Sequence, residues 1–228
     1  MKTVGILGGM SIESTIDYIK LFNKYIKEFA GSAHSPKIAL RCVDFAKIEK
    51  LQHENRWDEL GSLLSNEAKY VEKGGADFLI IATNTMHKIL PQIKKNLSIP
   101  VLHIATPTTQ EIIKDGNKKV ALLGTKFTMQ EDFYKAKLVE ANLEVITPSK
   151  KDQDEIHRVI YEELCKGVVL DSSISKFQNI ISNLTSKGAQ GVILGCTEIG
   201  MIVKEAPIKI YDTTSLHVRD AARVALKC

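Results

Sequence analysis

Short apolar runs punctuate the chain at residues 3–8, 37–45, 76–82, 100–105, 119–124, 143–148, 191–195 and 208–212. They are continuous rather than alternating, as expected of parallel strands covered on both faces. Amphipathic stretches lie between them. Ile12, Ile16, Ile19, Phe22 and Ile26 step by three or four, which predicts a helix with that stripe turned inward. Thr128 and Glu131 have capping-box spacing, which predicts a helix start at Thr128. Strands alternating with helices throughout argue an α/β fold with parallel sheets.

The pattern also repeats. Val4–Gly8 (VGILG) recurs as Val120–Gly124 (VALLG), 116 residues on, and the Gly-Ala start at Gly75 recurs at Gly188, 113 residues on. Two motifs in the same order at nearly one offset predict two similar halves. Aligned on the Gly-Ala pair, Thr83 and Cys196 fall on one position. Both end a strand-like run, and so do Gly8-Gly9-Met10-Ser11 and Gly124-Thr125. In open parallel sheets ligands bind beyond the carboxyl ends of strands. A helix starting after each turn offers free N–H groups to an anion. With the halves facing each other, Thr83 and Cys196 are expected to look across one cleft.

Composition narrows the function. Of 228 residues, 44% are hydrophobic and 25% charged, an ordinary globular balance. The net charge of +4 is too mild, and its lysines too scattered, for a nucleic-acid footprint; it suits a small acidic ligand. No run reaches the roughly 18 apolar residues of a membrane span. The N-terminal MKTVGILGG turns at once into a glycine pair rather than a signal-peptide core. The cysteines at 42, 165, 196 and 228 form no CxxC and have no metal-ligand spacing to histidine. A reducing, cytoplasmic setting with free thiols and no zinc is the expectation. Gly5, Gly8 and Gly9 fit neither GxGxxG nor a P-loop, so no nucleotide is expected.

Cys196 stands between Gly195 and Thr197 at a strand end, where a following helix N-terminus is expected to lower its pKa and favour thiolate. Cys42, Cys165 and Cys228 lack that context and read as structural or incidental. Thr83 reads equally as a β-branched strand residue. His87 reads as a packing residue or as a support for the Asn84-Thr85 turn. His103 is ambiguous in the same way. Glu198 reads as a first-turn acidic residue or as a partner that orients Thr197.

The segments GILGGMS, TNTMHK, LLGTKFTM and GCTEIG, with VDFAKIEKLQ and YEELCKG, together resemble the aspartate/glutamate racemase family over essentially the whole chain. The resemblance implies two similar α/β lobes, each a parallel sheet flanked by helices, with the active site in the cleft between them. It places residues 1–98 plus 210–228 in the first lobe and 99–209 in the second. It implies a homodimer acting on a small acidic amino acid, with no pyridoxal phosphate, metal or nucleotide. The common family pattern has a cysteine on each side of the substrate α-carbon. Cys196 matches the second, and Thr83 replaces the first, as in a subgroup that pairs threonine with cysteine. By motif position Asn84 and Thr85 bind the α-carboxylate, Met10, Ser11, Thr125 and Thr197 contact substrate from neighbouring turns, and Gln52 binds its side chain. His87 and Glu198 are supporting residues. Cys165, beside Lys166, stands where a lysine is frequent. A single catalytic thiol also leaves open a decarboxylase or a maleate-isomerase-like enzyme of the same architecture. A non-catalytic module that binds acidic amino acids is the remaining alternative.

Overall fold

The computed structural model describes residues 1–227. Cys228, read above as structural or incidental, lies outside them. The chain divides into two compact units: Met1–Ile104 together with the chain from His217 onward, and Ala105–Leu216. The first contains β1 (Val4–Gly8), α1 (Ile12–Ala30), β2 (Ile38–Cys42), α2 (Phe45–His53), α3 (Trp57–Lys73), β3 (Phe78–Ile81) and α4 (Leu90–Lys95). The second contains α5 (Ala105–Lys114), β4 (Lys119–Gly124), α6 (Lys126–Gln130), α7 (Asp132–Val139), β5 (Glu144–Ile146), α8 (Lys150–Glu162), α9 (Asp171–Ser186), β6 (Gly191–Gly195) and β7 (Lys209–Asp212). Helix α10 (Thr213–Leu226) begins in the second unit and ends in the first.

Each unit has its own parallel sheet, ordered β2-β1-β3 in one and β5-β4-β6-β7 in the other. A parallel bridge from Leu79 to Val101 supplies the fourth position of the first sheet. The sequence repeat reappears as register. Val4 pairs with Phe78, and Val120 pairs with Gly191. Those are the residues related by the two offsets read from the sequence.

In the first sheet the two-residue period sorts side chains onto two covered faces. Leu7, Leu79 and Ile81 pack with Leu60, Leu64, Ala68 and Ile93 on one side. Val4, Ile6, Phe78 and Ile80 pack with Phe22, Ile26, Val218, Ala221 and Ala225 on the other. Burying both faces removes apolar area from water at about 25 cal/mol per Å², which is why the run at 76–82 carries no polar alternation. In the second sheet Ala121, Leu123, Val192 and Leu194 meet Ile156, Ile160, Phe177 and Ile181 of α8 and α9.

Several local expectations change. In α1 the buried side chains are Ser14, Thr15, Tyr18, Phe22, Tyr25 and Ile26, while Ile12 and Ile16 are 49% and 43% exposed. The inward stripe is rotated from the expected one, because Tyr18 and Tyr25 fill the space against the sheet. Thr125, not Thr128, caps α6; its Oγ1 accepts from the Thr128 N–H at 3.3 Å. The run at 100–105 makes only the bridge at Val101 before α5 begins at Ala105. β2 is an edge strand with Leu40, Arg41 and Cys42 exposed, not a strand covered on both faces. The unit boundaries fall at 104/105 and 216/217, whereas the sequence reading puts them at 98/99 and 209/210. Val101 pairs within the first sheet and Lys209–Asp212 within the second. No described helix is long and apolar enough to cross a membrane.

Candidate active site

The residues singled out in the sequence gather, within each unit, beyond the carboxyl ends of its strands. In the first unit the β1–α1 turn carries Met10 and Ser11, both buried. Gly9 adopts φ +85°, and a Cβ there would lie 2.3 Å from the Val43 carbonyl oxygen, so only glycine fits. The Gly9 N–H donates to Thr15 Oγ1 at 2.8 Å, and that hydroxyl donates to the Ser11 carbonyl at 2.9 Å. Ser11 caps α1 by accepting from the Ser14 N–H. Ser14 Oγ in turn donates to the Ala82 carbonyl at 2.9 Å, tying this turn to the end of β3. Sequence reasoning misses Ser14 and Thr15; the signal is a hydroxyl pair one turn after a glycine turn, where such groups recapture free backbone.

Beyond β3 come Thr83, Asn84 and Thr85, all buried, leading into a 3-10 turn at Thr85–Ile89. His87 in this turn is buried, and its Nδ1 lies 3.0 Å from the Thr83 carbonyl oxygen. Gln52 is buried in α2, the helix that follows the β2 end.

In the second unit the ends of β4 and β6 are pressed together. A Cβ on Gly124 would lie 2.8 Å from the Gly195 carbonyl oxygen, and one on Gly195 would lie 2.7 Å from that of Leu123. The turns that follow carry Thr125 and Cys196-Thr197-Glu198, all buried. Cys196 Sγ donates to Glu198 Oε2 at 2.9 Å, and Thr197 Oγ1 donates to the same oxygen at 2.7 Å. Glu198 therefore serves the thiol as well as Thr197, which the sequence reading does not anticipate.

The electrostatics of Cys196 reverse one expectation. The element after it is a five-residue 3-10 turn, Thr197–Met201, not an α-helix. Burial pushes the thiol pKa well above its ordinary value, and the Glu198 carboxylate and nearby Cys165 push it the same way. At rest the group is a thiol hydrogen-bonded to a carboxylate. Such a pair can pass a proton from sulfur to oxygen as a substrate proton approaches sulfur. Cys165 packs against the same apolar cluster as Cys196 and so is not incidental.

Thr83 and Cys196 hold equivalent places in their own sheets. Thr83 lies five residues past Phe78, the partner of Val4, and Cys196 lies five residues past Gly191, the partner of Val120. Among the described residues no group of three or more His, Cys, Asp or Glu side chains is arranged to hold a metal ion.

Known proteins share this fold. The Asp/Glu/Hydantoin racemase family profile matches residues 7–221. A crystal structure of a candidate Asp/Glu racemase from Yersinia pestis is 42% identical, with a TM-score of 0.90 over 100% of both chains. An aspartate racemase homologue from Pyrococcus horikoshii is 33% identical, with a TM-score of 0.85 over 100% of both chains. A broad specificity amino-acid racemase from Bacillus subtilis is 26% identical over 93% of each chain. The chain belongs to the Asp/Glu/Hydantoin racemase family and is an enzyme of its amino-acid racemase type.

Proposed function

We propose that this enzyme racemises an acidic amino acid, aspartate or glutamate, with Cys196 and Thr83 acting on opposite faces of the α-carbon. The observation that carries the reading is the shared register of the two residues, five positions past equivalent strand residues in two sheets of one repeated order. The resemblance to racemases that flank the α-carbon with two such residues supplies the chemistry.

In the proposed cycle Glu198 takes the Cys196 thiol proton, and the thiolate takes the α-proton. The C–H electron pair stays on carbon and spreads into the α-carboxylate. Asn84, Thr85 and Thr197, with turn N–H groups, donate to that growing charge; such aligned donors supply much of the stabilisation in carbanion chemistry. Met10, Ser11 and Thr125 line the substrate, and Gln52 addresses its side chain. Thr83 delivers a proton to the other face and regains one from solvent, and Glu198 releases to solvent the proton it took, which restores the resting thiol–carboxylate pair. Its alkoxide is scarce near neutral pH, so abstraction on its face is the slow direction. Cys196 serves the L enantiomer in this reading. The enzyme acts as a cytoplasmic homodimer without pyridoxal phosphate, metal or nucleotide.

A single thiol at these positions also suits a decarboxylase or a cis–trans isomerase. Incubation with each enantiomer of aspartate and glutamate in deuterium oxide separates the readings. Racemisation requires deuterium at Cα together with optical inversion. Acidic amino acids recovered without deuterium would exclude it.

A further inference from the structure

The first unit packs a second group of titratable side chains behind Thr83. His87 lies in the Thr85–Ile89 turn, His103 just past the Val101 bridge, and His217 on α10; Tyr18 reaches them from α1. The His87 ring centroid is 4.7 Å from that of His103 and 6.1 Å from that of His217. The proton positions on His87 and His217 are fixed, because backbone groups with a single hydrogen-bonding role touch both buried rings.

The Ile104 N–H can only donate, and it points at His87 Nε2 from 3.2 Å. Nε2 is therefore the bare nitrogen, and the proton of the neutral ring sits on Nδ1. From there it reaches the Thr83 carbonyl oxygen at 3.0 Å. His217 has the opposite tautomer. The Leu102 carbonyl can only accept, so Nε2 at 3.1 Å carries the hydrogen, and Nδ1 accepts from the Tyr18 hydroxyl at 2.9 Å. Protonating either ring would aim a new N–H at a group already donating. Burial, with the neighbouring rings, accordingly holds both neutral. His87 lies well below its ordinary pKa and His217 falls to about 3.

The His87 bond falls at a point where the ladder ends. The Ala82 N–H donates to the Leu7 carbonyl at 2.9 Å, and Thr83 is the next residue. The His87 ring takes over the tether there, holding the Thr83–Asn84 peptide four residues back along the chain.

We propose that His87, fixed as its Nδ1–H tautomer, is a positioning residue for Thr83: it sets the peptide from which the Thr83 hydroxyl projects, and so acts on proton transfer at one face of the substrate only. The inference rests on the racemase reading above, in which Thr83 serves one face and Cys196 the other. A misplacement near 1 Å at a reacting group costs about 10²-fold, so loosening this peptide has a measurable effect.

Two substitutions in the full-length enzyme separate positioning from packing. The side-chain amide of His87→Asn reaches where Nδ1 stood and keeps a donor for Thr83. That of His87→Gln reaches where Nε2 stood and keeps only the partner of Ile104. Deuterium wash-in at Cα is followed from each enantiomer separately, with Thr83→Ala and Cys196→Ala assigning each face. His87→Gln is expected to slow Thr83-face exchange by about tenfold or more while Cys196-face exchange stays within about twofold. His87→Asn is expected to recover most of the loss. An equal fall on both faces, or an Asn variant no better than Gln, overturns the inference and leaves the racemase reading standing. A wild-type enzyme that exchanges neither enantiomer overturns that reading, and this inference with it. Nitrogen-15 spectra of the wild type test the tautomer without any variant. His87 is expected with Nδ1 protonated and Nε2 bare at neutral pH. The reverse assignment would refute the proposal even if both variants fail to fold.

Discussion

The two units place different side chains at one position and then support them in different ways. Thr83 and Cys196 share their register, yet the residues that follow them diverge. Four positions after Thr83 a neutral histidine binds the backbone carbonyl of Thr83 itself. Two positions after Cys196 a carboxylate binds the thiol. The first device tethers a peptide; the second, in the proposed cycle, handles a proton. Duplicated strand order supplies the place of a reactive group, and the nearest buried polar neighbour supplies its chemistry. Each half of that contrast can be broken separately.

The largest expected effect is at Cys196. In the proposed cycle replacement by alanine removes the carbon base, and both optical inversion and deuterium exchange on the Cys196 face should fall by at least about 10²-fold. Chiral chromatography and mass spectrometry on the folded variant measure this. Exchange above a tenth of the wild-type rate would assign the base elsewhere. Glu198→Gln comes next, with two effects of opposite sign. The carboxylate raises the thiol pKa, so its removal should speed iodoacetamide labelling of Cys196 at fixed pH. Racemisation should nevertheless slow by about tenfold or more, because the thiol loses its proton acceptor. Faster racemisation in this variant would reduce Glu198 to a local charge.

Thr83→Cys makes the two halves alike. Abstraction on the slow face should rise about tenfold, on the order of 1.4 kcal/mol, as read by initial rates from each enantiomer. No change would mean that the neighbours, and not the side chain, set the asymmetry.

The histidine support has a signature of its own in acid. His87 and His217 are held neutral by folding, so at mildly acidic pH the unfolded chain binds more protons than the native one. Their contribution is complete above the unfolded histidine pKa near 6.5. It is lost as pH falls from there toward about 3, the value His217 reaches in the fold. Urea unfolding between pH 7 and 5 should lose stability by up to about 1.4 kcal/mol per pH unit for each ring. A flat profile would contradict two buried neutral histidines. The smallest effect tests the face of α1. Ile12→Lys and Ile16→Lys should each change stability by no more than about 0.5 kcal/mol, since both side chains are exposed. A loss of several kcal/mol in denaturant unfolding would return them to a core or to a subunit contact.

Much of this is legible in the chain. Apolar runs such as GVILG at Gly191–Gly195, together with the Gly-Ala repeat, foretell parallel strands and two similar halves, because a parallel strand covered on both faces has no polar position to hide. The turn residues are legible for the same reason, since polar groups appear abruptly where a buried strand stops. Three features are not. The inward face of α1 opens with Ser14 and Thr15, whose value lies in bonds to Ala82 and Ser11 that spacing does not reveal. Tyr18 and His217 meet across 199 positions with no local trace. Sequence reasoning judges the Cys196 thiol by the element after it, whereas burial and the carboxylate two residues on decide its state.

The interrupted first unit has a consequence for synthesis. One face of its sheet is covered by Val218, Ala221, Ala222 and Ala225, which the ribosome makes only after the whole of the second unit. Residues 105–216 emerge in between and form a contiguous unit with its own core. At about 5–20 residues per second, Val4, Ile6, Phe78 and Ile80 wait on the order of ten seconds for that cover. The nascent chain is therefore adhesive not only at its growing end but also along strands already made, and a chaperone that shields residues 4–80 until α10 follows guards the vulnerable surface.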